Sequence, residues 1–327
     1  MKVLSSASFF AFYTIKYYAF YFNIKSVKEL MMQLQCVHNK LKDKNEITII
    51  KKYDCLAQRF TTIITTLGIC GICSSITMQL WMNIDVNTST NVSRSFNFLI
   101  TTEYFIDQNK YFYLIFLHIN AAICVGTISI VAVGTINIAY VQHICGMFRI
   151  ASYRIEYAIN IRILHHVSLR DKIWMAKGVI YAVNIHRQAM ILAKHFISTF
   201  QKMFACLIVC GVASCSLNLF QLSSFQNDVQ KFLFSFTISF MIIIYMFLTN
   251  LMGQKIIDHN NHVLITAYNV KWYKTPVHIQ RMILFLLQIG AKEFTLNIGG
   301  LIHGSMEGFA MLMKATISYF TVIHSIR

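Results

Sequence analysis

The chain has 327 residues, of which 56% are hydrophobic, 14% aromatic and only 13% charged, about half the charged share of an average soluble protein. Lys and Arg number 29 against 13 Asp and Glu, and there is a single proline, Pro276. A nucleic-acid binder would gather that excess on an otherwise polar domain, whereas here it lies between long apolar runs, so composition excludes a soluble enzyme, a disordered chain and a nucleic-acid-binding module in favour of a polytopic membrane protein.

Crossing the hydrocarbon core takes roughly 20 predominantly apolar residues. In chain order, residues 3–22 are apolar apart from Lys16, and residues 60–82, 111–148, 203–227 and 232–254 are free of formal charge. A further stretch, 294–326, is interrupted by Glu307 and Lys314. The expected fold class is therefore all-α, with six transmembrane helices in this chain. Between the first and second spans, Val27, Leu30, Met31, Leu34, Val37 and Leu41 recur at helical spacing, which predicts a helix below the membrane. The run 111–148 is longer than a bilayer requires, and Val179, Val183 and Met190 predict that the fourth span also begins well outside it. Thr275 before Pro276 predicts an N-cap and a first helical position, followed by a helix ending near Gly290. Its roughly 21 Å is short of the hydrocarbon core, so it is expected to pack beneath the membrane. Gly299, Gly300 and Gly304 are expected within the first half of the last span, as a close-packing or bending site.

Orientation follows from Lys and Arg. The connections after the first, third and fifth spans hold 22 of the 29 basic residues, whereas 83–110 and 228–231 hold only Arg94, Lys110 and Lys231. The basic set is cytoplasmic by the positive-inside rule. The chain's two Asn-x-Ser/Thr triplets, at Asn87 and Asn91, both fall in the connection assigned to the outside, as glycosylation requires. The carboxyl terminus is then extracellular. An intact form would carry one more upstream span, making seven, with a cytoplasmic amino terminus.

Several residues match a known family. These are Gln254, Lys255, Ile256, Ile257, Asp258 and His259; Lys271, Trp272 and Tyr273 with Pro276; and the closing block of Thr316, Ile317, Ser318, Tyr319, Phe320, Thr321 and Val322. A second stretch comprises Glu103, Tyr104, Phe105, Asp107, Lys110, Tyr111 and Phe112. On these residues the chain resembles the insect odorant receptors, particularly those of ants and other Hymenoptera, in an N-terminally truncated form. The resemblance implies an odorant-gated cation channel, a heteromer with the olfactory co-receptor (Orco) in the plasma membrane of the sensory dendrite. It implies residues 1–267 as transmembrane helices with a ligand-pocket region, and 268–327 as a cytoplasmic anchor helix followed by the pore-lining span. No cofactor is implied.

Glu307 and Lys314 are seven residues apart, nearly two turns, so they share one face about 10.5 Å apart along the axis and form the candidate pore pair. The alternative is that Lys314 snorkels to the outer surface while Glu307 pairs with another helix. The candidate ligand pocket is assigned by depth and resemblance to Phe9, Phe10, Ser75, Met78, Trp81, Phe112, Phe116, His118, Phe232, Ser235, Phe236 and Phe240, aromatic walls with a few polar tips. Cys70 and Cys73 have Cys-x-x-Cys spacing but lie within a span, and His165 and His166 sit between Arg162 and Arg170, so no metal site is expected. No catalytic constellation is present in the sequence, so the chain is not read as an enzyme. A gustatory receptor shares the architecture, and a G-protein-coupled receptor or a transporter are the readings from other classes. Against these stand the outside carboxyl terminus, the lack of Asp-Arg-Tyr and Asn-Pro-x-x-Tyr motifs, and the scarcity of intramembrane carboxylates. Protein made in insect cells is expected to lose apparent mass on glycosidase treatment, with the shift removed by replacing Asn87 and Asn91 together with Gln.

Overall fold

The computed structural model describes residues 2–88, 110–160, 169–224, 229–290, 294–298, 300 and 302–326. Asn91, the stretch from Glu103 to Asp107, His165, His166 and Gly299 lie outside the described residues, as do the side chains of Phe9 and Asn87.

Among the described residues eight α-helices follow one another: α1 Lys2–Phe22, α2 Ile24–Lys40, α3 Lys44–Thr88, α4 Phe112–Asn160, α5 Leu169–Ser224, α6 Val229–Asn269, α7 Val277–Gly290 and α8 Met306–Ser325. Helices α3 to α6, of 45, 49, 56 and 41 residues, are each long and apolar enough to cross a membrane. At 1.5 Å per residue they run roughly 60 to 85 Å, at least twice the hydrocarbon thickness. Each expected span is thus the middle or end of a longer rod that continues into the basic, cytoplasmic end. Helices α1 and α8, 21 and 20 residues long, have the length of a single crossing, about 30 Å. The former packs on α4 and α5, the latter on α5 and α6.

Toward their basic ends the rods form the principal core. Tyr140, Ile144, Phe148 and Ile155 of α4 meet Val179, Ala189, Leu192, Phe196 and Phe200 of α5 and Ile256, Val263 and Ala267 of α6. Into this core α2 inserts Val27 and Leu30, α3 Ile50, and α7 Ile279, Ile283 and Leu286. The stripe expected on α2 is therefore a packing face, although Met31 on its edge points outward. Tyr140 donates to the Val27 carbonyl at 3.1 Å and fastens α2 to α4. Glu46 of α3 takes a two-point contact from Arg154 of α4, at 2.6 Å from Nε and 2.9 Å from Nη2, and Arg154 Nη1 also donates to the Tyr181 carbonyl of α5 at 3.1 Å. His259 of α6 donates from Nδ1 to the Lys255 carbonyl at 2.7 Å, which leaves Nε2 of the neutral ring to accept from Tyr53 Oη of α3 at 2.8 Å.

The segment before α8 departs from the expected continuous span. Asn297–Ile298 and Ile302–His303 form a two-stranded antiparallel hairpin, and the last helix begins only at Met306. Gly300 has φ +74, a left-handed conformation that glycine adopts without cost, and its N–H donates to Asn297 Oδ1 at 3.1 Å. Gly300 therefore turns the chain, and neither it nor Gly304 sits inside a helix. Gly304 lies against Gly253 of α6 so closely that a side chain at Gly253 would overlap the Gly304 carbonyl. Ser305 caps α8, its Oγ accepting from Gly308 N–H at 3.1 Å. A second departure concerns Thr275: its hydroxyl donates backward to the Trp272 carbonyl at 2.6 Å and does not cap α7. Gln280 takes over the junction, its Nε2 donating to the Thr275 carbonyl at 2.7 Å.

Because the Glu46 carboxylate is buried and Arg154 only partly exposed, Glu46→Ala is expected to destabilise the protein by about 1–3 kcal/mol. Thermal melting of the purified chain checks this, and a double-mutant cycle with Arg154→Met is expected to return a coupling of at least about 1 kcal/mol.

Candidate functional site

In the apolar half of the bundle α1, α3, α4 and α6 do not close on one another, and a cavity of about 240 Å³ lies between them. Helix α1 contributes Phe12, Tyr13 and Lys16; α3 contributes Ile64, Leu67, Gly68, Gly71, Ser74, Ser75, Met78 and Gln79. From α4 come Ile123, Thr127, Ile130 and Val131, and from α6 the row Phe234, Ile238, Met241, Tyr245 and Leu248, spaced three or four apart on one face. The walls are overwhelmingly apolar. Their hydroxyls are largely turned back on their own helices: Ser75 donates to the Ile72 carbonyl, Thr127 to that of Ile123 and Thr237 to that of Leu233, each at 2.8 Å. Gly126 lets α1 approach α4, because a Cβ there would meet the Tyr13 ring. The arrangement suits an apolar molecule larger than benzene, which fills an engineered cavity of about 150 Å³.

The expected pocket residues divide. Ser75 and Met78 line the cavity. Phe10 sits above it, edge-on to Tyr13 with ring centroids 6.1 Å apart, and packs on Ile115, Ile119 and Ile123. Phe112 is buried against Phe116 at 6.0 Å between centroids, nearer the outer end of α4. Ser235 is buried, its hydroxyl donating to Gln221 Oε1 of α5 at 3.2 Å. Trp81, His118, Phe232, Phe236 and Phe240 face outward, the last two stacked on each other at 6.2 Å. The reason is angular. Phe232 and Phe236 are each two residues from Phe234, and Phe240 is two from Ile238, and two residues turn an α-helix by about 200°.

Depth by itself missed Tyr13, Lys16, Thr127 and Tyr245. One signal for them stood in the sequence, since Lys16 is the sole charge in the first apolar run.

Helix α8 presents two faces. Gly308, Leu312 and Thr316 are buried against α5 and α6, where Ser216 of α5 donates to the Thr316 carbonyl at 3.0 Å. Glu307, Met311, Lys314 and Ser318 are exposed on the other side. The charged pair thus shares a face uncovered by this chain, with Glu307 in the first turn, next to Ser305. Gln254 of α6 joins this end to the bundle: its Oε1 accepts from Met306 N–H at 3.2 Å while its Nε2 donates to Asp258 at 2.8 Å.

The cavity and α8 are connected. Beneath the first cavity a second, of about 110 Å³, shares Lys16, Ile64, Tyr245 and Leu248 with it and reaches Gly253, Gly304, Leu296 and Ile298 at the hairpin. Tyr245 also borders a small void that reaches Leu312 of α8.

This architecture recurs among solved structures. The insect olfactory receptor OR5 from Machilis hrabei in complex with eugenol superimposes with a TM-score of 0.76 at 13% identity, covering 99% of this chain and 81% of that one. A second structure of the same receptor gives a TM-score of 0.68 at 12% identity, covering 99% of this chain and 80% of that one. No curated protein matches. A family model described as 7tm odorant receptor matches residues 1–317, so this multipass membrane protein belongs to the 7tm odorant receptor family.

Proposed function

We propose that the chain is the odorant-binding subunit of a heteromeric cation channel formed with the olfactory co-receptor, in the plasma membrane of olfactory neuron dendrites. The observation that carries this reading is the 240 Å³ apolar cavity, joined through Lys16 and Tyr245 to the chamber beside the hairpin that starts α8. A volatile organic molecule enters the cavity and favours the conformation in which α8 moves away from its counterparts in neighbouring subunits. It gates only to the extent that it binds the open arrangement better than the closed one. Residues 268–327 serve as the anchor helix α7 and the pore helix α8. On this reading Glu307 and Lys314 face the conduction path, an environment that spares them the cost of about 2.5–3.5 kcal/mol for a charge in lipid. The uncovered face that carries them supports this placement.

Co-expression with the co-receptor is expected to yield odorant-evoked cation current across a volatile panel, and silence from a surface-expressed channel rejects the assignment. Glu307→Gln is expected to shift relative cation permeability measured by reversal potential. An added Cβ at Gly71 meets nothing within 4 Å. Gly71→Phe is therefore expected to fill the cavity and raise the half-maximal odorant concentration at least tenfold, with surface expression retained.

A further inference from the structure

Lys16 is 1% exposed, among the largest fully buried side chains of the protein. It stands where the two cavities meet and lines both. Its Nζ lies 4.3 Å from the centroid of the Tyr245 ring. A cation over an aromatic face recovers only part of the cost of taking an ammonium out of water. The remainder is normally met by an anion. Among the described residues no Asp or Glu lines either cavity, and the ion pair present is the distant one between Arg154 and Glu46. The neighbouring hydroxyls of Ser75, Thr127 and Thr237 donate to their own helices, as described above. Nor does Lys16 escape to the membrane surface. Six residues separate it from the end of α1, about 9 Å, yet the side chain stays inside over Tyr245. Among the described residues the site is an apolar chamber with a single basic side chain at its floor and no carboxylate of its own.

Resting on the reading of the cavity as the ligand site, we infer that the receptor is tuned to medium-chain carboxylic acids, with the carboxylate on Lys16 and the tail against Met78, Ile123, Phe234 and Met241. Such a ligand supplies the missing anion, and its hydrocarbon part meets walls of matching polarity. The acid arrives either ionised, to meet the ammonium, or neutral, in which case its proton passes to the amine, and both routes end in the same pair. Binding also engages the group that lines both the upper cavity and the chamber beside Gly253 and Gly304, so the head of the ligand acts where the two spaces meet.

The test uses the full chain with its co-receptor and compares octanoate, 1-octanol and oleate. A second readout, independent of gating, is the melting shift of the purified chain in lipid nanodiscs. Octanoate is expected to act at concentrations at least tenfold below 1-octanol and to raise the melting temperature more. Lys16→Met is expected to bring the two within about threefold of each other, and Lys16→Arg to retain the acid preference. Equal potency of acid and alcohol in the unaltered chain overturns the inference, as does an acid preference that survives Lys16→Met. Response to oleate without response to octanoate also overturns it, because it identifies a bilayer fatty acid as the occupant. If alcohol and other neutral volatiles gate the channel without any acid preference, the cavity remains the ligand site and this inference alone fails. If no probe produces current or a melting shift in folded protein, both fall.

Discussion

Packing driven by exclusion of water operates only where there is water to exclude, and this constraint divides the molecule in two. Within the bilayer, lipid tails are as apolar as Leu or Ile, so burying those side chains against one another gains little. Below the bilayer the same residue types gain the full hydrophobic contribution. The four long helices answer this by continuing tens of ångströms beyond the hydrocarbon. It is there that α2, α3, α4, α5, α6 and α7 come together around Ile144, Phe148, Phe200 and Val263, all essentially inaccessible. Two polar contacts between helices, Glu46 to Arg154 and Tyr53 to His259, fall in the same region.

The membrane half, relieved of the task of holding the bundle together, is free to be loose. Its cavity is the space left between α1, α3, α4 and α6 once their packing is secured elsewhere. Rigidity at one end and adaptability at the other is what the function proposed here, reception of small apolar molecules, needs. A well-packed core cannot reshape around a ligand, and a chain loose throughout would not transmit the change. On the function proposed here, the shared wall of Lys16 and Tyr245, the backbone approach of Gly253 to Gly304 and the bond from Gln254 to the first turn of α8 form the physical route from the cavity to the last helix.

The membrane architecture was legible because it rests on signals that accumulate over many residues: apolar run length, the placement of 22 basic residues, and the helical stripe from Val27 to Leu41. The ends of elements were harder. Gly299, Gly300 and Gly304 sit in an apolar sequence that reads as a helix, and only the left-handed φ of Gly300 with the Asn297 contact identifies a hairpin. Thr275 and Pro276 carry a start signal that is correct in place, yet the hydroxyl finds a nearer carbonyl. Site residues were the least legible, because depth and angle are separate coordinates. Phe236 and Ser75 were placed at comparable depth, but when every face of α6 is apolar, periodicity cannot say which one looks inward. A lone lysine in such surroundings is more informative than any of the aromatics around it, since its burial demands an explanation.

The core beneath the membrane also has a history along the chain. It is assembled from segments as far apart as Val27 and Leu286, so it is completed only when nearly nine-tenths of the polypeptide exists. Until α7 has been synthesised, α4, α5 and α6 hang from the membrane with its docking face uncovered in water. During that interval the nascent receptor is a substrate for chaperones and quality control in the secretory pathway. A chain that stops before α7 would expose that face permanently, and its fate would be decided by proteostasis before any ligand was met.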